Sequence, residues 1–242
     1  MTVIHQVTDI HIPVTGDFNV RDNFTLLMQH VASAQPDILT ITGDLPGEDG
    51  NREAYLWIRD QLPSDISCLV LPGNHDDPAA LFAIFQSEMN TNPEFFEIVA
   101  LDQIDLVFAN TASNYLPSDQ IATLADVSIR EGSLLFLHHP TEEISGGFMD
   151  RTYPLLNRDE VSRAISDSNI EHVFCGHFHT EYLCRTTYNL YLTPSPAFTV
   201  DRDSVKPIIS PPGIPLREIA VEGALVSTRV IYLEEESRHC VK

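Results

Sequence analysis

The sequence predicts an α/β protein, and three observations carry that expectation. Short apolar runs of β character alternate with stretches whose apolar residues recur at helical spacing, the pattern of a partly parallel sheet flanked by helices. Five of those runs stop abruptly at turns carrying Gly, Asp, Asn or His, as strands do at a sheet edge where loops bear chemistry on a rigid support. The 242 residues, 43% of them hydrophobic, suffice for one large core, and neither a repeat nor a long linker divides the chain. One domain is therefore expected over residues 1–242, with a core over 1–233 and a frayed polar tail over 234–242.

The elements follow in order. Residues 3–7 form the first strand, tipped by Asp9-Ile10-His11, and residues 13–19 read as a loop. Asp22 is placed to cap a helix whose apolar face is Phe24, Leu27, Met28, Val31 and Ala32. After Pro36-Asp37 a second strand, 38–41, reaches Gly43-Asp44. A turn-rich loop and a helix over 52–62 precede the third strand, which starts at Cys68 and ends in Gly73-Asn74-His75-Asp76. The next helix spans 78–88, with Pro78 in its first turn where a missing N–H costs nothing. Strands over 95–101 and 104–110 join at Asp102-Gln103, and a polar helix over 118–126 leads to strand 134–137 and its tip His138-His139-Pro140. Residues 141–157 lack periodicity and read as a long loop beside the site. A helix over 158–168 precedes strand 172–175 and the tip Gly176-His177-Phe178-His179. Beyond Tyr182 the texture is β, with strands over 188–192, 217–221 and 225–233 and a turn at Gly223, while the four prolines of 204–215 suggest irregular chain.

A net charge of −21 disfavours polyphosphate backbones, because nucleic-acid binding needs a basic stripe that releases counterions. Small anionic substrates stay open if bound cations supply local positive charge. Cys68, Cys175, Cys184 and Cys240 show no CxxC pairing and read as free thiols of a reducing compartment. Met1 is followed almost at once by the first strand, leaving no room for a signal peptide, and no apolar run approaches the roughly 18 residues of a membrane span. The expectation is a cytoplasmic protein without nucleic-acid or membrane partners.

The strand tips offer Asp9, His11, Asp44, Asn74, His138, His177 and His179. These are oxygen and imidazole donors without a thiolate, a set suited to Mn, Fe, Zn or Co. Seven ligands exceed what one catalytic ion with an open position takes. Two divalent or trivalent ions about 3.5–4 Å apart, sharing a carboxylate, use the set well. Asp44 stands alone on its tip and is the natural bridge. Such a pair acidifies a bound water to hydroxide near neutral pH, neutralises phosphoryl oxygens and stabilises an in-line displacement. His75, beside Asn74 but outside the ligand set, is the general acid for the leaving group, and Asp76 is expected to orient its imidazole. Singly, each motif is more often a turn or a structural histidine. Five in one chain, each after an apolar run, are not. His5, His30, His172 and His239 are left as structural or surface residues.

The series Asp9-x-His11, Gly43-Asp44, Gly73-Asn74-His75-Asp76, His138-His139-Pro140 and Gly176-His177-x-His179 resembles the calcineurin-like metallophosphoesterase superfamily. Further similarity to bacterial class III cyclic-nucleotide phosphodiesterases lies in residues 6–11, Pro36-Asp37, 72–78, Phe148-Met149-Asp150 and 228–232. The resemblance implies a four-layer α/β/β/α sandwich of two mixed sheets. It also implies one metal on Asp9, His11, Asp44 and His179 and a second on Asp44, Asn74, His138 and His177. His75 would be the catalytic histidine, and His75 and His139 would face the substrate. The strand register and the family's His-x-Pro pattern favour His138 over His139 as ligand. Relatives are often dimers, so a homodimer is an expectation too. The implied reaction is hydrolysis of a small phosphodiester, cyclic nucleotides first. A glycerophosphodiesterase, nucleotide pyrophosphatase or phosphomonoesterase would share the metal chemistry, and a non-catalytic scaffold would have lost ligands that this chain keeps. One departure is Thr141 where the family has a second proline. The acidic segment after it would lie near the substrate, where Glu142 and Glu143 would disfavour anionic nucleotides.

Overall fold

The computed structural model describes residues 1–13, 19–86, 92–125 and 128–233. Strands β1 (Thr2–Val7), β2 (Ile38–Thr42) and β3 (Ser67–Leu71) pair in parallel, connected through helices α1 (Val20–Ala34) and α2 (Arg52–Gln61). Parallel neighbours need such crossovers, and they bring all three strand ends to one rim. The chain's end returns as a hairpin of β12 (Pro215–Glu222) and β13 (Leu225–Tyr232), giving the order β13-β12-β1-β2-β3.

Helix α3 (Pro78–Phe85) carries the chain toward the second sheet. That sheet contains β4 (Glu97–Ala100), β5 (Asp105–Phe108), β6 (Ser133–Phe136), β7 (Ile170–Cys175), β8 (Tyr182–Arg185) and β9 (Asn189–Leu192) in the order β4-β5-β6-β7-β9-β8. Its connections include α4 (Ser118–Leu124), α5 (Phe148–Thr152) and α6 (Arg158–Ser166). A small ribbon of β10 (Thr199–Val200) and β11 (Ile209–Ser210) stands apart from both sheets.

Period-2 alternation of side chains builds the layers. In β6, Leu134 and Phe136 pack in the core shared with the first sheet, whereas Leu135 packs with α4 and α6 on the other face. Neighbouring strands repeat the division with Phe108 against Val107 and Phe174 against Val173. Phe108, Phe136, Phe174 and Tyr191 stack in a row across β5, β6, β7 and β9, with centroids 5.1, 5.3 and 4.9 Å apart. Burying each of the three phenylalanine rings stabilises the fold by about 1.5–3 kcal/mol. On the first sheet, Phe24, Leu27 and Val31 of α1, Tyr55 and Ile58 of α2 and Leu81 and Phe85 of α3 are buried. The result is the α/β/β/α sandwich.

A polar seam crosses the contact between the sheets. Gln6 donates to Thr42 Oγ1 at 2.9 Å and accepts from Thr193 Oγ1 at 2.6 Å, and the Arg217 guanidinium donates to Thr193 and to the Leu192 carbonyl. Each buried polar group here is matched, which fixes how the two strand sets align at the functional rim.

Some local expectations change. Helix α1 begins at Val20 after Asn19, so Asp22 lies inside the first turn, where its charge complements the helix dipole instead of capping it. Helices α2 and α3 are capped by side chains, Asn51 accepting from Glu53 and Ala54 N–H, and Asp77 from Ala79 and Ala80 N–H. The expected loop 141–157 contains α5, and the proline-rich stretch contains β11, whose Ile209-Ser210 pairs between prolines rather than at them. The expected helix ends at 87–88 and 126, loop residues 14–18, the tail 234–242, His239 and Cys240 lie outside the described residues. Among the described residues no helix is long and apolar enough to cross a membrane.

Candidate metal centre

The tip of β1 lies against that of β2: Asp9 N–H donates to the Gly43 carbonyl at 2.9 Å and His11 N–H to the Asp44 carbonyl at 3.0 Å. The tip of β3 joins through Asp76, whose Oδ2 accepts from the Asp44 and Gly73 amides at 2.7 Å each and whose Oδ1 accepts from Leu45 at 3.3 Å. The tip of β7 joins through His177 N–H, which donates to Asp9 Oδ2 at 2.8 Å. Glycine is required at these approaches. A Cβ on Gly73 would collide with Asp44 and the His138 ring, and one on Gly176 would collide with Thr8 and Asp9.

The side chains converge into two groups. Asp9, His11, Asp44 and His179 offer ligand atoms within 4.8 Å of one another, and Asp44, His138 and His177 do the same. Asp44 belongs to both. Buried polar atoms are almost always partnered, yet Asp9 Oδ1, Asn74 Oδ1 and His138 Nε2 have no hydrogen-bond partner. Two of these orphans belong to the clustered residues, and the third is on Asn74, whose chain neighbours Gly73 and His75 lie against Asp44; the set fits a pair of cations. Backbone strain marks the same residues: Asp9, His11, Asp44, His177 and His179 all have positive φ, between 48° and 66°. Left-handed non-glycine residues concentrate where surrounding structure over-determines them for function.

Three imidazoles are locked by backbone carbonyls, which can only accept. His138 Nδ1–H donates to Thr42 at 2.8 Å, His177 Nε2–H to Tyr153 at 2.9 Å and His179 Nδ1–H to Phe198 at 3.1 Å. The other nitrogen of each ring is thereby turned inward, the usual arrangement behind metal-ligating histidines, where it can act as a donor once it carries no proton. None of these carbonyls was legible in the sequence. Tyr153 follows α5 in the stretch expected to be structureless. Phe198 belongs to a supporting segment, 195–198, in which Ser195 Oγ also donates to the Asp9 carbonyl at 2.7 Å.

Electrostatics agree with a cation site. Burial opposes charge on Asp9, but neighbouring His179 and His138 hold it at about 2, and Asp44 lies well below the usual carboxylate range because of His138. Burial lowers His11 and His177 to about 4. His138 goes the other way: burial disfavours its charge, but Asp44 and Asp9 raise it to about 10 in the metal-free protein. A cation held by His138 would have to displace that proton, so its affinity is expected to fall as pH falls below this value, by up to about tenfold per pH unit for the one proton. Competitive metal titrations at pH 6.5, 7.5 and 8.5 should show the trend together with proton release. A flat profile would mean that His138 takes no part.

Three expected roles change. His139 is fully buried, with Nδ1 bonded to Thr111 Oγ1 at 2.9 Å and Nε2 to Asn114 Oδ1 at 2.8 Å, so neither nitrogen is available to a substrate. Its ring instead packs on His177, centroids 4.2 Å apart. Asp76 has its hydrogen bonds to the backbone amides above rather than to the His75 ring. Burial and the charge of Asp44 push its carboxyl up to about 7, while the Gly73 amide and the Tyr55 hydroxyl pull it down. The ring partner of His75 is Asp49, Oδ1 to Nδ1 at 2.6 Å, a residue that sequence reasoning missed because it lies in a featureless turn. The acidic segment also turns away from the role expected of it. Glu142 accepts from Ser162 and Tyr188, and Glu143 pairs with Arg158, so both carboxylates are engaged at α6.

Two ligand groups sharing a carboxylate, set on the strand ends of a two-sheet sandwich, define the class of two-metal phosphoester hydrolases. The chain belongs to the calcineurin-like phosphoesterase family, whose sequence profile matches residues 2–181. It is 30% identical over 208 residues to a probable cyclic nucleotide phosphodiesterase of Fibrobacter succinogenes, covering 82% of this chain and 81% of the relative. A probable glycerophosphodiester phosphodiesterase of Arcobacter nitrofigilis is 25% identical over 251 residues, covering 93% and 91%. Among solved structures, a dimetal phosphatase of Danio rerio superimposes with a TM-score of 0.64 at 11% identity, over 96% of this chain and 98% of its own, a likeness of fold.

Proposed function

We propose that the protein hydrolyses a small phosphodiester, cyclic nucleotides first, at a dinuclear centre of Mn, Fe, Zn or Co. Asp9, His11, Asp44 and His179 would hold one ion, and Asp44, Asn74, His138 and His177 the other. The observation that carries this reading is the pair of ligand groups meeting at Asp44, with Asp9 Oδ1 and His138 Nε2 within those groups left without a hydrogen-bond partner. When bound, the ions supply an activated water near neutral pH and neutralise charge on the phosphoryl oxygens.

The chain's own residues supply the rest. His75 lies beside His11, ring centroids 5.2 Å apart, is half-exposed and is held by Asp49, so it can hand a proton to the departing oxygen. Asp76 fixes the Asp44 and Gly73 backbones against each other. His139, tied to Thr111 and Asn114, buttresses the His177 ring. The −21 charge argues against extended polyanions, and intact ligands argue against a purely binding role.

A glycerophosphodiester is the second reading, supported by the relative that aligns over 93% of the chain. The deciding experiment is a metal-reconstituted panel of cyclic AMP, a glycerophosphodiester, a dinucleotide and a phosphomonoester, with metal content measured alongside. Close to two equivalents of metal and the highest kcat/KM on cyclic AMP are expected. Turnover only of the phosphomonoester, or a firm stoichiometry of zero or one, would refute the proposal.

A further inference from the structure

Beside the metal centre opens a cavity of about 770 Å³ whose lining includes His11 and His75. That volume lies in the range of sites for organic ligands, and a phosphoryl group at the centre would leave most of it empty. Its apolar wall is built by Val20 from the start of α1, Phe198 before β10, and Ile209, Pro211 and Pro212 at and after β11, with the uncharged Asn19, Asn23 and Ser210 also in the lining. Among the described residues that line it there is no lysine, arginine, aspartate or glutamate. The Phe198 ring is held by the metal-centre histidines, its centroid 4.1 Å from His179 and 5.4 Å from His11. Ile209 is 61% exposed, so the ribbon presents an apolar side chain in the cavity wall. Isolated apolar residues need no explanation, but a group of them lining a cavity at a reactive centre marks a binding surface.

We propose that this cavity binds the non-reacting part of the substrate and selects an uncharged, flat ring system there, with Phe198, Ile209, Pro211 and Pro212 as specificity-determining residues. The proposal rests on the phosphodiesterase reading and deepens it. A fixed aromatic ring and apolar walls about it favour a stacked planar group. They offer no cation for a second or third phosphate, so substrates with a polyphosphate chain are disfavoured. A glycerol-sized alcohol would reach few of these walls.

The test uses the full-length, metal-loaded protein and its Ile209→Glu variant. Ile209 is largely exposed on a two-residue strand outside both sheets, so the change tolerates folding, which metal content confirms. A carboxylate at this wall should raise KM for cyclic AMP about tenfold more than KM for glycerophosphoethanolamine, the effect falling on KM rather than kcat. Calorimetry should show adenosine, which has no phosphate, binding the parent about tenfold more tightly than the variant. Equal KM changes for both diesters, or adenosine binding both proteins equally or neither, would overturn the cavity proposal. If no diester is turned over, the phosphodiesterase reading falls, and the adenosine comparison alone decides the cavity.

Discussion

Asp44→Asn is expected to reduce bound metal from two equivalents to one or none and to lower turnover at least about 10²-fold, the loss that follows removal of one preorganised electrostatic group. Asparagine is the sharper choice over alanine for a physical reason. Asp44 sits at φ 54°, a conformation that asparagine adopts readily, so the replacement adds little backbone strain. The retained carbonyl oxygen can still accept from His75 N–H, a bond that Asp44 Oδ1 makes at 2.9 Å. What disappears is the anionic charge shared by both ligand groups, with Oδ2 lying 3.4 Å from His138 Nε2 and 3.6 Å from His11 Nε2. Loss of activity therefore reports on that charge rather than on a collapsed loop. Elemental analysis and turnover, measured on one preparation whose melting temperature is recorded, separate the two. A variant holding two ions and parental activity would remove Asp44 as the bridge.

His75→Ala should separate binding from catalysis. Turnover is expected to fall about 10²- to 10⁴-fold, the usual contribution of a positioned general acid, with metal content unchanged. The expectation follows from position: the ring lies against His11 but belongs to neither ligand group, and its Nδ1 is engaged by Asp49. Asp49→Asn keeps an acceptor oxygen and should cost less than His75→Ala, because the Asp49 carboxylate is 84% exposed and its charge is screened by solvent. The loss should also shrink for substrates with good leaving groups, which need no proton. A His75→Ala enzyme as active as the parent on a poor leaving group would remove this residue from the mechanism.

Much of the site was legible in the chain because it depends on local rules. An apolar run of four or five residues makes a strand, and Gly-Asp or Gly-Asn ends it in a turn. Parallel strands joined by helices deliver such ends to one rim, so ligand types on successive tips announce a shared centre. Asp9, His11, Asp44, His138, His177 and His179 come together accordingly. Reading the neighbours of His75 failed for the opposite reason. Asp76 is next to it in sequence, but the turn at Gly73 directs that carboxylate to backbone amides, while Asp49, 26 residues earlier, meets the ring.

The sequence by itself determined the layered α/β class, the donor chemistry of the candidate metal ligands and the position of the histidine outside their set. Those are properties of residue type and of spacing along one strand and its turn. The tertiary structure alone decided which ring nitrogens face inward, since the carbonyls of Thr42, Tyr153 and Phe198 that set them lie 96, 24 and 19 residues from their histidines. It alone turned His139 inward and built the apolar wall from Phe198 to Pro212. Contacts of that kind arise when separate loops close on one another, and no periodicity along the chain encodes where they meet.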